Sequence, residues 1–310
     1  MTIVLTFVGL LLIFVSFYEQ FQTLFHPAGH GTITDWISRT VWLTFKRFAR
    51  RRAALLSLAG PFALIAIILT WATFVALGCA LIYYPRLASF AVPQDLAGRW
   101  HPSFLNALNI SFASLVTVAT DVVPTTPWIR LLMILQAGVG LGLVTASVSW
   151  LLSVYPVLEG RSSIAEQAMS LFESERDTGL DLFEMEDSGL ADILFALASD
   201  LSTLRNQTVQ FPITYYFGVQ SRRASLEMAM PYIDGLAMRA CTPDRSPTLK
   251  LAGYSLDAAI RSYLRLLGHR FLNLPGESKE VLLRAYVQDN LRDALPETPR
   301  ESSARAQANL

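Results

Sequence analysis

Residues 104–150 read FLNALNISFASLVTVATDVVPTTPWIRLLMILQAGVGLGLVTASVSW, and three kinds of segment follow one another in them. Ser103 is a candidate N-cap, and the apolar run from Phe104 to Val116 predicts a helix of about 20 Å. That is too short for a hydrocarbon core of about 30 Å, so the segment is expected to be re-entrant or interfacial. The run Thr117-Val118-Ala119-Thr120-Asp121-Val122-Val123-Pro124 then bends with its backbone exposed. Such backbone is tolerated at membrane depth only where protein or water faces it, which calls for neighbouring helices or subunits. Trp128 suits an aromatic belt, and Ile129 to Tyr155 reads as a return span whose one charge is Arg130. Gly138, Gly140 and Gly142 lie near its middle and imply either close helix packing or a hinge.

Toward the N-terminus the composition supports the same reading. The chain is 52% hydrophobic and 16% charged, with the apolar residues gathered in the first half, as in an integral membrane protein. Met1 to Phe17 reads as an anchor extended to residue 25 by Tyr18, Phe21 and Phe25, because a cleaved leader would have a basic start and a small-residue cleavage site. Between Phe25 and Ala53 six cations stand against Asp35, a net +5, which marks a cytoplasmic loop. The apolar spacing of Trp36, Ile37, Val41, Trp42, Phe45 and Phe48 predicts a helix over Thr34 to Arg51 lying on the inner leaflet. His26 and His30 are four apart, but Pro27, Gly29 and Gly31 favour a loop over a metal site there. Gly60-Pro61 breaks the next apolar run, so Pro61 to Tyr84 is read as a span of about 36 Å, with Ala53 to Ala59 continuing along the surface. Pro85 to Ser103 is near neutral and suits the outer face.

From Glu159 onward the pattern is that of a mainly helical soluble region of about 135 residues, enough for a core of its own. Ser163–Phe172, Ala191–Leu204, Ser225–Ala240 and Leu256–Phe271 carry helical apolar spacing, with Pro212, Pro231, Pro243, Pro247 and Pro275 read as separating them. The acids Glu173, Glu175, Asp177, Asp181, Glu184, Glu186 and Asp187 lack a calcium-loop pattern and read as a solvated or cation-attracting face. Residues from Pro296 on read as disordered. The fold class is therefore all-α membrane protein: three transmembrane helices, a re-entrant helix and a C-terminal helical cytosolic domain. The segments are 1–25, 26–60, 61–155, 156–295 and 296–310, with an outside N-terminus and an inside C-terminus.

Thr117-Val118 followed by Asp121-Val122-Val123-Pro124 resembles the Thr-Val-Gly-Tyr-Gly-Asp-Ile-Val-Pro filter of the potassium-channel pore family. Phe104-Leu105-Asn106-Ala107-Leu108 through Ser111 looks like that family's pore helix, and Pro127-Trp128-Ile129-Arg130 looks like the start of its inner helix. The resemblance covers Pro61 to Tyr155 and is closest to bacterial channels with one extra N-terminal span. It implies an outer helix over 61–84, a pore helix over 104–117, a filter of Thr117, Val118, Ala119, Thr120 and Asp121, an inner helix over 128–155, and four identical subunits around one pore in a bacterial plasma membrane. Ala119-Thr120 stands where the family has Gly-Tyr-Gly, so one residue, both glycines and the packing tyrosine are missing. One residue fewer removes about 3 Å of extended chain and one carbonyl ring per subunit.

A helix that points its C-terminal end at the membrane centre favours a cation, and carbonyls of the following bend can replace its water. The expectation is a weakly selective or non-selective channel carrying potassium, sodium or both. A potassium-selective channel and a non-conducting sensor or scaffold acting through the cytosolic domain are the alternatives. No cofactor is expected, and no metal beyond permeating cations. The partners are expected to be the lipid bilayer, further copies of the chain and a cytosolic ligand or protein, with no nucleic acid. The sequence lacks a phosphate-binding glycine loop, a nucleophile elbow and a recognisable catalytic set, so an enzyme is not expected. His269 reads as a surface residue, Asn109-Ile110-Ser111 as an incidental glycosylation match, and Cys79 and Cys241 give no disulfide framework. No arginine ladder repeats along a span, which argues against voltage sensing by that route.

Overall fold

Among the described residues, three apolar stretches wind into helices long and apolar enough to cross a membrane: α1 (Thr2–Leu24), α3 (Ala59–Tyr83, prolonged by a 3-10 turn to Ser89) and α5 (Pro127–Thr178). The computed structural model describes residues 1–24, 31–48, 58–93, 101–218, 221 and 223–290. Between the long helices lie α2 (Thr32–Phe48), β1 (Phe90–Ala91), α4 (Phe104–Leu115) and β2 (Val123–Pro124). After them come α6 (Asp187–Gln210), a 3-10 turn over Pro212–Tyr216, α7 (Leu226–Ala240), α8 (Pro247–Arg270) and α9 (Lys279–Asn290). The His26/His30 pair, Arg50 to Arg52, Ala53 to Ser57, Asp95, Arg99 and the tail 296–310 lie outside the described residues.

Two expected boundaries are corrected. The short helix ends at Leu115 rather than at 117, because Thr117 adopts φ +60°, where helical bonding stops. The helix that begins at Pro127 does not stop at Tyr155 but continues to Thr178, so Ser163–Phe172 belongs to it and is no separate helix. Pro156 forfeits its own amide bond to the preceding turn, while the buried stripe continues beyond it through Val157, Ile164, Ala165 and Ala168. Pro231 likewise lies inside α7, and Pro247 opens α8, where its missing N–H costs nothing.

The described residues fall into two units, one of 1–48, 58–156 and 210–217, the other of 157–209 and 218–290. In the first, α1 crosses α3 where two glycines meet: a Cβ on Gly78 would stand 2.6 Å from the Gly9 carbonyl oxygen. Two turns farther, Ser16 Oγ donates to the Trp71 carbonyl at 3.0 Å. At the end of α1 the nearly buried Glu19 accepts from the amides of Ile33 and Thr34, at 3.2 and 3.4 Å, and so satisfies the first turn of α2. The inward face of α2 sets Trp42 against Tyr215 and Tyr216 and Phe45 against Phe62.

In the second unit the acids that read as a solvated or cation-attracting face serve largely as ties, several of them to arginines. Glu173 pairs with Arg223 at 2.9 Å, Glu175 accepts from the Leu182 amide and the Tyr232 hydroxyl, and Asp181 pairs with Arg239. The guanidinium groups of Arg239 and Arg245 both lie over the Phe183 ring, 4.1 and 4.9 Å from its centroid. Lys279 opens α9, where a cation opposes the helix dipole, and reaches Asp234 at 2.7 Å and Asp257 at 2.8 Å, joining α9 to α7 and α8. Among the described residues no group of three or more His, Cys, Asp or Glu is placed to hold a metal.

Partial burial works to raise the Asp181 carboxyl, but the Phe183 amide and Arg239 outweigh it and hold it below the ordinary carboxylate range. A depressed carboxylate stabilises the fold above its unfolded pKa of about 3.9, and that contribution is lost as pH falls through the folded value. Asp181→Asn is therefore expected to melt earlier at neutral pH and to lose less stability than the wild type on acidification below about pH 4. Thermal melts of the two proteins that fall in parallel through that range would refute the assignment.

Candidate functional site: the helix hairpin over residues 103–130

Ser103 has an extended backbone, and its Oγ accepts from the Asn106 amide at 3.3 Å, which starts α4. Asn106 Nδ2 donates in turn to the His101 carbonyl at 2.7 Å. The 12 residues of α4 amount to about 18 Å, less than a hydrocarbon core. Ala107, Ile110 and Leu115 face inward among Val75, Ala76, Cys79 and Ile129.

A buried polar chain joins α4 to both long helices beside it. Tyr83 Oη donates to Gln136 Oε1 at 2.8 Å, and Gln136 Nε2 lies 3.0 Å from the Ser111 carbonyl and 2.7 Å from Ser111 Oγ. Ser111 Oγ donates to the Ala76 carbonyl at 2.7 Å. Tyr83, Gln136 and Ser111 are each 2% exposed or less, so each bond is made where the competing partner, water, is excluded. Sequence reasoning passed over Gln136 and Tyr83 and treated Ser111 only as part of the pore-helix resemblance and of a glycosylation match. The available signal was Gln136 itself, an amide inside an otherwise apolar helix.

Beyond Leu115 the chain closes on itself. The Thr117 amide bonds to the Ser114 carbonyl at 3.2 Å, and the Val118 amide to the Ala113 carbonyl at 2.8 Å. With Thr117 left-handed, this is a Schellman C-cap in which threonine fills the place usual for glycine. A Cβ in that conformation costs roughly 1–2 kcal/mol, and β-branching aggravates it. Thr117→Gly is expected to raise stability by up to about 1 kcal/mol after glycine's entropy cost, while Thr117→Ala, which keeps a Cβ, does not. Equal melting temperatures of the two variants in detergent would count against a strained cap.

Thr117, Val118, Ala119 and Asp121 are exposed on the single chain, with Thr120 half-buried and its hydroxyl donating to the Val122 carbonyl at 2.8 Å. The chain after them is pinned. Phe90 pairs with Pro124 and Ala91 with Val123, the Thr125 amide and hydroxyl both donate to the Ser89 carbonyl, and Arg130 donates to the Pro124 carbonyl at 3.1 Å. Arg86 donates to Thr6 Oγ1 at 2.9 Å and lies 5.1 Å from the Trp128 ring centroid, so the start of α1, the end of α3 and the start of α5 meet there.

The three glycines of α5 separate by direction. A Cβ on Gly140 would collide with the Leu115 carbonyl at the end of α4, whereas a Cβ on Gly138 or Gly142 would have no atom from another part of the described residues within 4 Å. Gly140 belongs to a buried stripe with Gln136, Leu143, Ser147 and Trp150, and Gly138 and Gly142 share the exposed face with Leu131, Ile134, Leu135 and Leu141.

Three membrane-length helices in an almost wholly helical chain define a helical membrane protein. A Bacillus subtilis (strain 168) protein described as uncharacterized membrane protein YdjJ is 26% identical over 229 residues, 73% of this chain. The chain covers 66% of that protein's length, just under two thirds. No protein-family model and no solved structure matches.

Proposed function

We propose that the chain is one subunit of a homotetrameric pore-loop cation channel of weak selectivity. One observation carries this reading: α4, too short to span, is clamped between two membrane-length helices by the Tyr83–Gln136–Ser111 bonds and delivers the exposed segment Thr117–Asp121 at its end. A single hairpin cannot surround an ion, so further copies complete the path. The carbonyls and hydroxyl of Thr117 to Thr120 replace part of the ion's water, and the Asp121 carboxylates form a negatively charged ring that concentrates cations. Alanine and threonine in place of the family's glycines and tyrosine support similar passage of sodium and potassium.

Orientation follows from charge. The meeting of Thr6, Arg86 and Trp128 brings the start of α1 beside the end of α3 and the start of α5. Helix α2, with Arg39, Lys46 and Arg47, follows the opposite end of α1. The excess of cations there supports a cytoplasmic side for that end, an outside N-terminus and a cytoplasmic C-terminal helical unit.

A non-conducting sensor is the second reading. It is favoured by the Schellman cap, in which the Ala113 and Ser114 carbonyls at the end of α4 already accept backbone amides. The two readings separate in proteoliposomes. The channel reading expects flux with a reversal potential near zero in opposed sodium and potassium, reduced severalfold by Asp121→Asn, from a protein that sizes as a tetramer. Absence of flux at every voltage, pH and divalent concentration tried, from folded tetramer, would sink it in favour of the sensor.

A further inference from the structure

Helix α2 carries two opposed faces. Thr34, Ile37, Ser38 and Trp42 are buried, and Trp42 and Phe45 hold this face against Tyr215, Tyr216 and Phe62. The opposite face repeats at intervals of three and four residues: Trp36, Arg39, Leu43 and Arg47, all exposed. At 1.5 Å per residue these four form a stripe about 16 Å long. Trp36 is 68% exposed and Leu43 54% exposed, a large apolar surface for a helix otherwise so well packed. Among the described residues neither Arg39 nor Arg47 pairs with a carboxylate. Favourable placement at the C-terminal end of the helix dipole accounts for Arg47 but not for Arg39, which lies mid-helix.

We infer that this face is a docking surface for a membrane leaflet rich in anionic phospholipid. Helix α2 lies in the chain between two membrane-length helices, and Glu19 ties its first turn to the end of α1, which sets it at a membrane boundary. Tryptophan and leucine seat at the junction of headgroups and acyl chains, and the interleaved arginines present planar donors to lipid phosphates. Charge complementarity selects the anionic lipid over a zwitterionic one, since a zwitterionic headgroup adds no net surface potential. The inference is independent of ion conduction, and a chain that conducts nothing would retain it.

The test uses the full-length protein in vesicles of phosphatidylcholine, alone or mixed with phosphatidylglycerol, with brominated acyl chains on one lipid at a time. The Trp36 contribution to fluorescence quenching is the difference between the wild type and Trp36→Phe. Brominated phosphatidylglycerol is expected to quench it at lower mole fraction than brominated phosphatidylcholine. That preference is expected to fall about five-fold for each arginine lost in R39Q and R47Q, to weaken with salt, and to persist in the double variant R39K/R47K. Equal quenching by the two lipids in the wild type, or a preference unchanged in R39Q/R47Q, would overturn the inference. So would a Trp36 quenched by neither lipid, the result expected if a second copy of the chain covers this face.

Discussion

Gly140→Ala is expected to abolish the assembled hairpin, while Gly138→Ala and Gly142→Ala leave it standing. The added methyl at 140 has nowhere to go. It meets the carbonyl of Leu115, a backbone atom at the capped end of α4 that no rotamer change can move. Overpacking of a well-filled site costs about 1–3 kcal/mol, and a rigid backbone neighbour puts this case at the upper end. Relief requires α4 to withdraw from α5, which would stretch the Gln136–Ser111 bonds one turn away. The same substitution at 138 or 142 meets no atom from another part of the described residues within 4 Å and gains up to about 1 kcal/mol of helix propensity. Thermal unfolding in detergent and ion flux read the three variants together. Equal loss in all three would mean that all three glycines serve a common hinge or a contact between subunits, and would remove Gly140 from its special place.

Gln136→Leu is expected to cost about 2–3 kcal/mol and, under the proposed channel function, to reduce flux, because it leaves the Tyr83 hydroxyl buried with no acceptor and removes both bonds to Ser111. The double variant Tyr83→Phe/Gln136→Leu discriminates between lost bonds and lost packing. Removing both partners removes the orphaned hydroxyl, so the double variant is expected to be more stable than Gln136→Leu alone. A double variant as unstable as the sum of the two single ones would show that Gln136 acts by volume and not through this bond. Ser111 still donates to the Ala76 carbonyl in both proteins, so the α3–α4 contact is a built-in reference for the α4–α5 contact under test.

Much of the helical architecture was legible because hydrophobic length is a local property. Thr2–Leu24, the span after Gly60 and the long helix from Pro127 each announce themselves by apolar runs, and Ser103 marks the start of α4 by its chemistry alone. The helix end at Tyr155 was misplaced because a proline inside a helix and a proline after one look alike in sequence. What distinguishes them is whether the next residues have a core to face, as Val157 and Ile164 do. The acids from Glu173 to Asp187 were similarly opaque, since their partners Arg223, Tyr232, Arg239 and Ser246 lie 50 to 59 residues away.

For the hairpin, sequence alone determined that a helix too short to span starts at Phe104, that a bend follows, and that a membrane-length helix comes next. These depend on residue type and spacing within a few turns. Only the tertiary structure decided what holds the hairpin and how it ends. Gly138 and Gly140 differ by about 200° around the helix, so which of them meets another backbone depends on where α4 lies and not on the glycine itself. The bonds of Gln136 to Tyr83 and Ser111 join three helices, and the left-handed turn at Thr117 is imposed on a residue that by itself disfavours it. Each is an agreement between distant parts of the chain, which no local pattern encodes.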